Sequence, residues 1–96
     1  MTIEITVLPE FSLWFDGLSL RERLLIKKRL LVIEQDEHFG DCKYLSDGLF
    51  ELRWKNGTRI YFAKISKDKI LLLFGGIKNG QKKDIKKARL LLERLS

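Results

Sequence analysis

The chemistry in this 96-residue chain gathers around one Asn-Gly dipeptide, with Glu51 and Arg53 on its N-terminal side and Arg59 and Tyr61 on its C-terminal side. Alternating apolar residues on both flanks predict a β-hairpin, so loop length decides which of these groups meet. A two-residue Asn56-Gly57 turn would set Arg53 opposite Ile60 and Glu51 opposite Phe62, mixing polar and apolar residues on both faces. A three-residue loop, Lys55-Asn56-Gly57 with Gly57 left-handed in a bulge, instead pairs Phe50 with Phe62 and Leu52 with Ile60 and sorts the faces cleanly. This register places Arg53 opposite Arg59 and Glu51 opposite Tyr61 on the non-core face. Facing guanidinium groups repel, a local destabilisation that a shared anion relieves. The alternative of equal weight is that Glu51 bridges the two arginines in an ordinary surface salt-bridge cluster.

The elements that position this hairpin follow from periodicity. Ile3, Ile5 and Val7 alternate between Thr2 and Leu8 and predict a strand. Phe11, Trp14, Phe15 and Leu18 recur at helical spacing after Pro9, which a first helical turn tolerates. Ser19 and Glu22 form a capping-box pattern ahead of a longer helix to about Gln35, whose apolar stripe is assigned to Leu20, Leu24, Leu25, Leu31 and Val32. His38 to Asp47 lacks periodicity and reads as a loop. Three strands then form a meander, Leu49 to Trp54, Thr58 to Ile65 and Lys69 to Phe74, the last apolar throughout and so expected to be interior. Gly75, Gly76 and Gly80 precede a basic helix predicted to bury Ile85, Ala88, Leu92 and Leu95. The expected fold is a single α+β domain over residues 1–96. It is a small curved antiparallel sheet, the N-terminal strand beside the meander, with two N-terminal helices and a C-terminal helix.

Composition narrows the function classes. Nineteen Lys and Arg against thirteen Asp and Glu give a net charge of +6, which favours polyanionic partners such as nucleic acid. Lys82, Lys83, Lys86, Lys87, Arg89 and Arg94 concentrate positive charge near the C-terminus, although solvated lysines also serve solubility alone. The single Cys42 forms no internal disulfide, and the single His38 has no partner acid or nucleophile in its loop, so neither a zinc cluster nor a catalytic histidine is expected. No metal and no cofactor are called for. The N-terminus lacks a basic segment followed by a long apolar run, so the expectation is a soluble, cytoplasmic protein without membrane contact. Gly80-Gln81-Lys82 does not complete a P-loop, which excludes nucleotide hydrolysis by that motif.

Several stretches together carry a resemblance: Gly40-Asp41-Cys42-Lys43, Asp47-Gly48-Leu49-Phe50-Glu51-Leu52-Arg53, Arg59-Ile60-Tyr61-Phe62, and Leu72 through Lys78 followed by Gln81, Asp84-Ile85 and Ala88. In this order they resemble the RelE/ParE superfamily of toxins, in its addiction-module killer-protein (HigB-like) branch, over most of the chain. The resemblance implies a toxin of a toxin–antitoxin pair that degrades mRNA, on the ribosome or free, as an endoribonuclease. It also implies a cognate antitoxin, expected to be of helix-turn-helix type. Attack by a 2′-hydroxyl needs cations at the phosphorus, a base and an acid. The resemblance places Arg53 and Arg59 as the cations; Lys78 adds a point charge after Gly75-Gly76, where glycine permits a phosphate to approach. Glu51 is the candidate base and Tyr61 the candidate donor, with Lys55, Lys82, Lys83 and Lys86 as RNA contacts. Some members use a C-terminal Tyr or His where this chain has Ile85. Two rivals share the fold: a gyrase-poisoning toxin without nuclease activity, and a non-catalytic nucleic-acid-binding module.

Overall fold

The computed structural model describes residues 2–95. The order is β1 (Glu4–Val7), α1 (Pro9–Asp16), α2 (Leu20–Asp36), β2 (Cys42–Ser46), β3 (Leu49–Arg53), β4 (Thr58–Ser66), β5 (Lys69–Ile77), a 3-10 turn (Lys78–Gly80) and α3 (Gln81–Arg94). The α+β class and the helices follow the sequence reading. Pro9 opens α1, and the Ser19–Glu22 capping box closes reciprocally: Ser19 Oγ accepts from Glu22 N at 3.2 Å, and Glu22 Oε1 accepts from Ser19 N at 3.1 Å.

The sheet differs in two ways from the expectation. Five strands, not four, are arranged β1-β5-β4-β3-β2, and β1 runs parallel to β5, so the sheet is mixed. The extra strand is β2, inside the segment read as a loop. It is a short, partly exposed edge joined to β3 through Asp47-Gly48, both at positive φ (53° and 85°), the conformation of a type I′ hairpin turn. The β3–β4 hairpin has the three-residue loop: Phe50 pairs with Phe62, Leu52 with Ile60, Glu51 with Tyr61 and Arg53 with Arg59, and Gly57 has φ 101°.

Two cores flank the sheet. Leu52, Trp54, Ile60, Phe62 and Leu72 pack with Phe11, Ile26 and Ile33 from α1 and α2, while Leu49, Tyr61, Ala63 and Leu73 pack with Ala88 and Leu91 from α3. The face assigned to solvent is therefore a second interior. On α3, Leu91 is buried and Leu95 is exposed, the reverse of the expected role for Leu95. On α2, Ile26 and Ile33 form the buried seam, whereas Leu20, Leu24, Leu25 and Leu31 are exposed, Leu20 by 63%. Counting leucines chose the wrong face.

Gly75 and Gly76 lie inside β5 and do not end it. A Cβ on Gly75 would stand 2.3 Å from the Trp14 ring, and one on Gly76 would stand 1.9 Å from Asp84 Oδ2. The two glycines admit α1 on one face and α3 on the other, which replaces the phosphate-approach role read from sequence.

Arg29 of α2, unremarked in the sequence, ties α2 to the segment before β2 and to the end of β3. Its guanidinium donates to Phe39 O through Nε (3.1 Å) and Nη2 (2.7 Å), to Asp41 O (2.7 Å) and to Arg53 O, and stacks 4.4 Å from the Trp54 ring. Arg29→Met keeps the stem but removes the guanidinium bonds to these carbonyls, of which the Asp41 carbonyl keeps Arg53 N as a donor, and is expected to lower stability by about 2 kcal/mol, read as a shift in the urea midpoint at unchanged slope.

Candidate functional site

The strand pairing builds a row of positions across the sheet beneath the start of α3: Arg53 on β3, Arg59 on β4 and Gly76 on β5. The next row holds Glu51, Tyr61 and Phe74. The two arginines are thus neighbours, as the register required, but their environments differ. The Arg53 side chain is 37% exposed, with Nε 3.9 Å from the exposed Asp41 carboxylate. Arg59 is only 6% exposed, and its Nη1 donates to Trp54 O (3.1 Å) and Thr58 O (2.9 Å), bracing the hairpin turn from within.

Glu51 does not bridge them. It is fully buried, and its Oε2 accepts from Gln81 Nε2 at 2.6 Å, a charge-assisted bond that fixes the first turn of α3. Tyr61 is fully buried beside it. Burial, and then the carboxylates of Glu51 and Asp84, push the Tyr61 phenol far above its usual range. Glu51 Oε1, Tyr61 Oη and Arg59 Nε all lack a hydrogen-bond partner, an unusual clustering of buried polar atoms. Both proton-transfer candidates are buried.

Lys78 is held at the hairpin tip, its N–H donating to Gly57 O at 2.8 Å. It lines an open hollow with Gln81, Lys82 and Lys83. Lys55 is exposed within the hairpin loop, and Lys86 is exposed one turn along α3 from Lys82. Lys78 therefore stands at the hairpin loop that carries Lys55, the hollow adds Lys82 and Lys83, and Lys86 follows them along α3. His38 is exposed and stands apart from this group.

Gln81 and Asp84, quoted in the sequence only among the residues that carry the resemblance and given no role there, also belong to the site. Their spacing with Ile85 and Ala88 on one side of α3 was the available signal. Burial pushes the Asp84 carboxyl up, and the nearby Lys83 and Lys87 draw it back in part. Because the folded protein then holds this proton more tightly than the unfolded chain, stability falls as pH rises out of the ordinary aspartate range. Asp84→Asn is expected to melt higher than the wild type at pH 7, the gap closing as the pH is lowered towards about 3.

Among the described residues no helix is long and apolar enough to cross a membrane. No protein-family profile matches the chain. An uncharacterised protein of Haemophilus influenzae is 40% identical over 98 residues, spanning 99% of this chain and 98% of its own length. Among solved structures, the RelBE2 toxin–antitoxin complex of Mycobacterium tuberculosis superposes with a TM-score of 0.68 at 11% identity, covering 80% of this chain and 99% of that one. A double-arginine variant of the E. coli toxin RelE in the free state gives 0.69 at 14% identity, covering 91% and 98%. The intact E. coli RelBE toxin–antitoxin complex gives 0.66 at 13%, covering 78% and 95%. The chain belongs to one family with the Haemophilus influenzae protein, and its fold is that of the RelE toxins.

Proposed function

We propose that the protein is the toxin of a toxin–antitoxin pair and acts as an mRNA endoribonuclease. The observation that carries this reading is the facing pair Arg53 and Arg59, unbridged by Glu51, beside a lysine cluster anchored to the same hairpin tip. Arg53, the exposed member, takes the scissile phosphate through its planar fork. Arg59 acts from behind it as a fixed charge and brace. Lys78 adds a second cation at the phosphate, Lys55 and Lys82 hold the flanking backbone, and Lys83 and Lys86 continue that track.

Glu51 and Tyr61 enter this proposal as positioning residues, in place of base and donor, because both are fully buried. Glu51 acts through Gln81 to set the start of α3 and hence Lys78. Catalysis is then chiefly electrostatic: fixed cations neutralise the charge that grows on phosphorus as the 2′-hydroxyl attacks, and protons exchange with water. Fixed cations make a divalent ion unnecessary for that step. The RelE structures solved with their antitoxins support a cognate antitoxin, here expected to be a helix-turn-helix protein.

The burial of both proton-transfer candidates favours one other reading, a gyrase poison that binds without cutting RNA. Induced expression separates the two. Growth arrest with discrete transcript breaks in primer extension is expected; arrest with intact transcripts and altered DNA supercoiling would reject the nuclease reading. Wild-type growth with full expression would reject the toxin reading altogether.

A further inference from the structure

At the β2 edge of the sheet four aromatic rings adjoin, on the face that carries α1 and α2. Phe62 is fully buried and stacks with Phe39 and Phe50 at centroid distances of 5.6 and 5.2 Å. Tyr44 of β2 meets Phe50 at 5.0 Å, with the two planes tilted by 57°. The Lys64 ammonium lies over Phe39 and Phe50, 5.5 and 4.9 Å from their centroids. Tyr44 is the open member of the group, with 57% of its surface exposed. Its hydroxyl accepts from Gly48 N at 3.2 Å, so the ring is tied to the turn that follows β2.

What this edge suits follows from its charges. Lys64 is exposed and forms no ion pair among the described residues. Lys43, beside Tyr44 on β2, is likewise exposed and unpaired, and strand alternation directs it to the other face, the one that carries α3. The carboxylates flanking β2 lie beside arginines: Asp41 is 3.9 Å from Arg53 and Asp47 is 3.7 Å from Arg89. An open ring fixed between two unpaired cations, on a chain of net charge +6, matches a nucleobase and the phosphates on either side of it. A protein partner needs a broader apolar patch. Here Phe62 is buried, and Phe39 and Phe50 lie under Lys64, so one ring alone is offered. A duplex, whose bases stack on one another, presents no free base to that ring.

We propose that Tyr44 is a stacking platform for one base of a single-stranded RNA that crosses the β2 edge, with Lys43 and Lys64 holding the RNA backbone on the two faces. Because β2 is the outermost strand, a chain passing over it touches both faces. Lys43 pairs across with Glu51, and so extends to the sheet edge the row that adjoins Arg53 and Arg59. On the function proposed above, and resting on it for this step alone, the stacked base belongs to the substrate and lies a short way along it from the phosphate held by Arg53. The platform then anchors the RNA on the far side of the edge from the cut.

The test is titration of the full chain with a short fluorescein-labelled 2′-O-methyl RNA, which has no free 2′-hydroxyl to attack its own phosphates. Tyr44→Ala should weaken binding by about tenfold, whereas Tyr44→Phe should bind like the wild type, because stacking uses the ring and not the hydroxyl. Lys64→Gln should weaken binding severalfold at low salt and lower the salt slope by about one. The matching duplex should bind the wild type and Tyr44→Ala alike. With 5-bromouracil placed along the probe, irradiation of the wild-type complex should crosslink the RNA to Tyr44, a readout that a purely structural tyrosine would not give and that stands even if Tyr44→Ala melts lower. Undiminished binding by folded Tyr44→Ala, an equal loss for the duplex, or crosslinks confined to other residues would overturn the proposal. So would loss of self-association, in place of RNA binding, in Tyr44→Ala. The probe is not cut, so the two readings fail separately. Tyrosine-dependent binding by a chain that cleaves nothing would keep the platform and reject the nuclease, and cleavage with binding indifferent to Tyr44 would do the reverse.

Discussion

Arg53→Ala is expected to lower RNA cleavage by about 100-fold or more, and to relieve growth arrest, with the melting temperature nearly unchanged. The side chain is partly exposed, and its contact with the exposed Asp41 carboxylate is long at 3.9 Å and is not a hydrogen bond, so little stability depends on it. Arg59→Ala behaves differently. The Trp54 and Thr58 carbonyls keep their backbone donors, Gly57 N and Trp54 N, but they lose the Arg59 bonds that tie them together, and a void is left, a loss of about 2 kcal/mol, or roughly 10 °C in a domain of this size. Activity would fall in both variants, but only Arg59→Ala should lose stability. Thermal melts beside transcript mapping separate the two effects. Wild-type cleavage by correctly folded Arg53→Ala protein would remove the proposed phosphate contact.

Gly75→Ala should produce the largest loss of stability among small substitutions, about 3 kcal/mol. The added methyl would lie 2.3 Å from the Trp14 ring, which also packs on Phe11 with ring centroids 5.6 Å apart and has little freedom to retreat. Pairing it with Trp14→Leu makes room, so the double variant should lose less than the sum of the single changes. Gly76→Ala is expected to act on the other face by displacing Asp84 and the start of α3, and so to reduce activity as well. Urea midpoints for the single and double variants provide the measurement. Simple additivity would show that the contact does not limit packing.

These contacts also show what could be read from residues alone. The hairpin register was legible because one loop length separates polar from apolar residues on both strands and the other does not. The facing arginines followed from it. The surroundings of that face were not legible. Burial of Glu51, Arg59 and Tyr61 arises from Gln81, Ala88 and Leu91, which reach the sheet only once α3 folds back across it. The same limit applies to Gly75 and Gly76, whose constraints come from Trp14 and Asp84 on two different helices. Strand β2 escaped because an exposed edge needs no alternation, although Asp47-Gly48 was a usable hairpin signal. On α2, leucine outnumbers isoleucine, yet Ile26 and Ile33 face the core and the leucines largely face out.

The most direct test of the central claim is the chemistry of the cut end. Purified protein is incubated with a labelled RNA and the matching DNA in the presence of a chelator, and the product termini are identified. If fixed cations assist attack by the neighbouring 2′-hydroxyl, RNA is cut to leave a 2′,3′-cyclic phosphate or the derived 3′-phosphate. DNA, lacking that hydroxyl, stays whole. Cleavage that stops in chelator and leaves a 3′-hydroxyl would contradict the account.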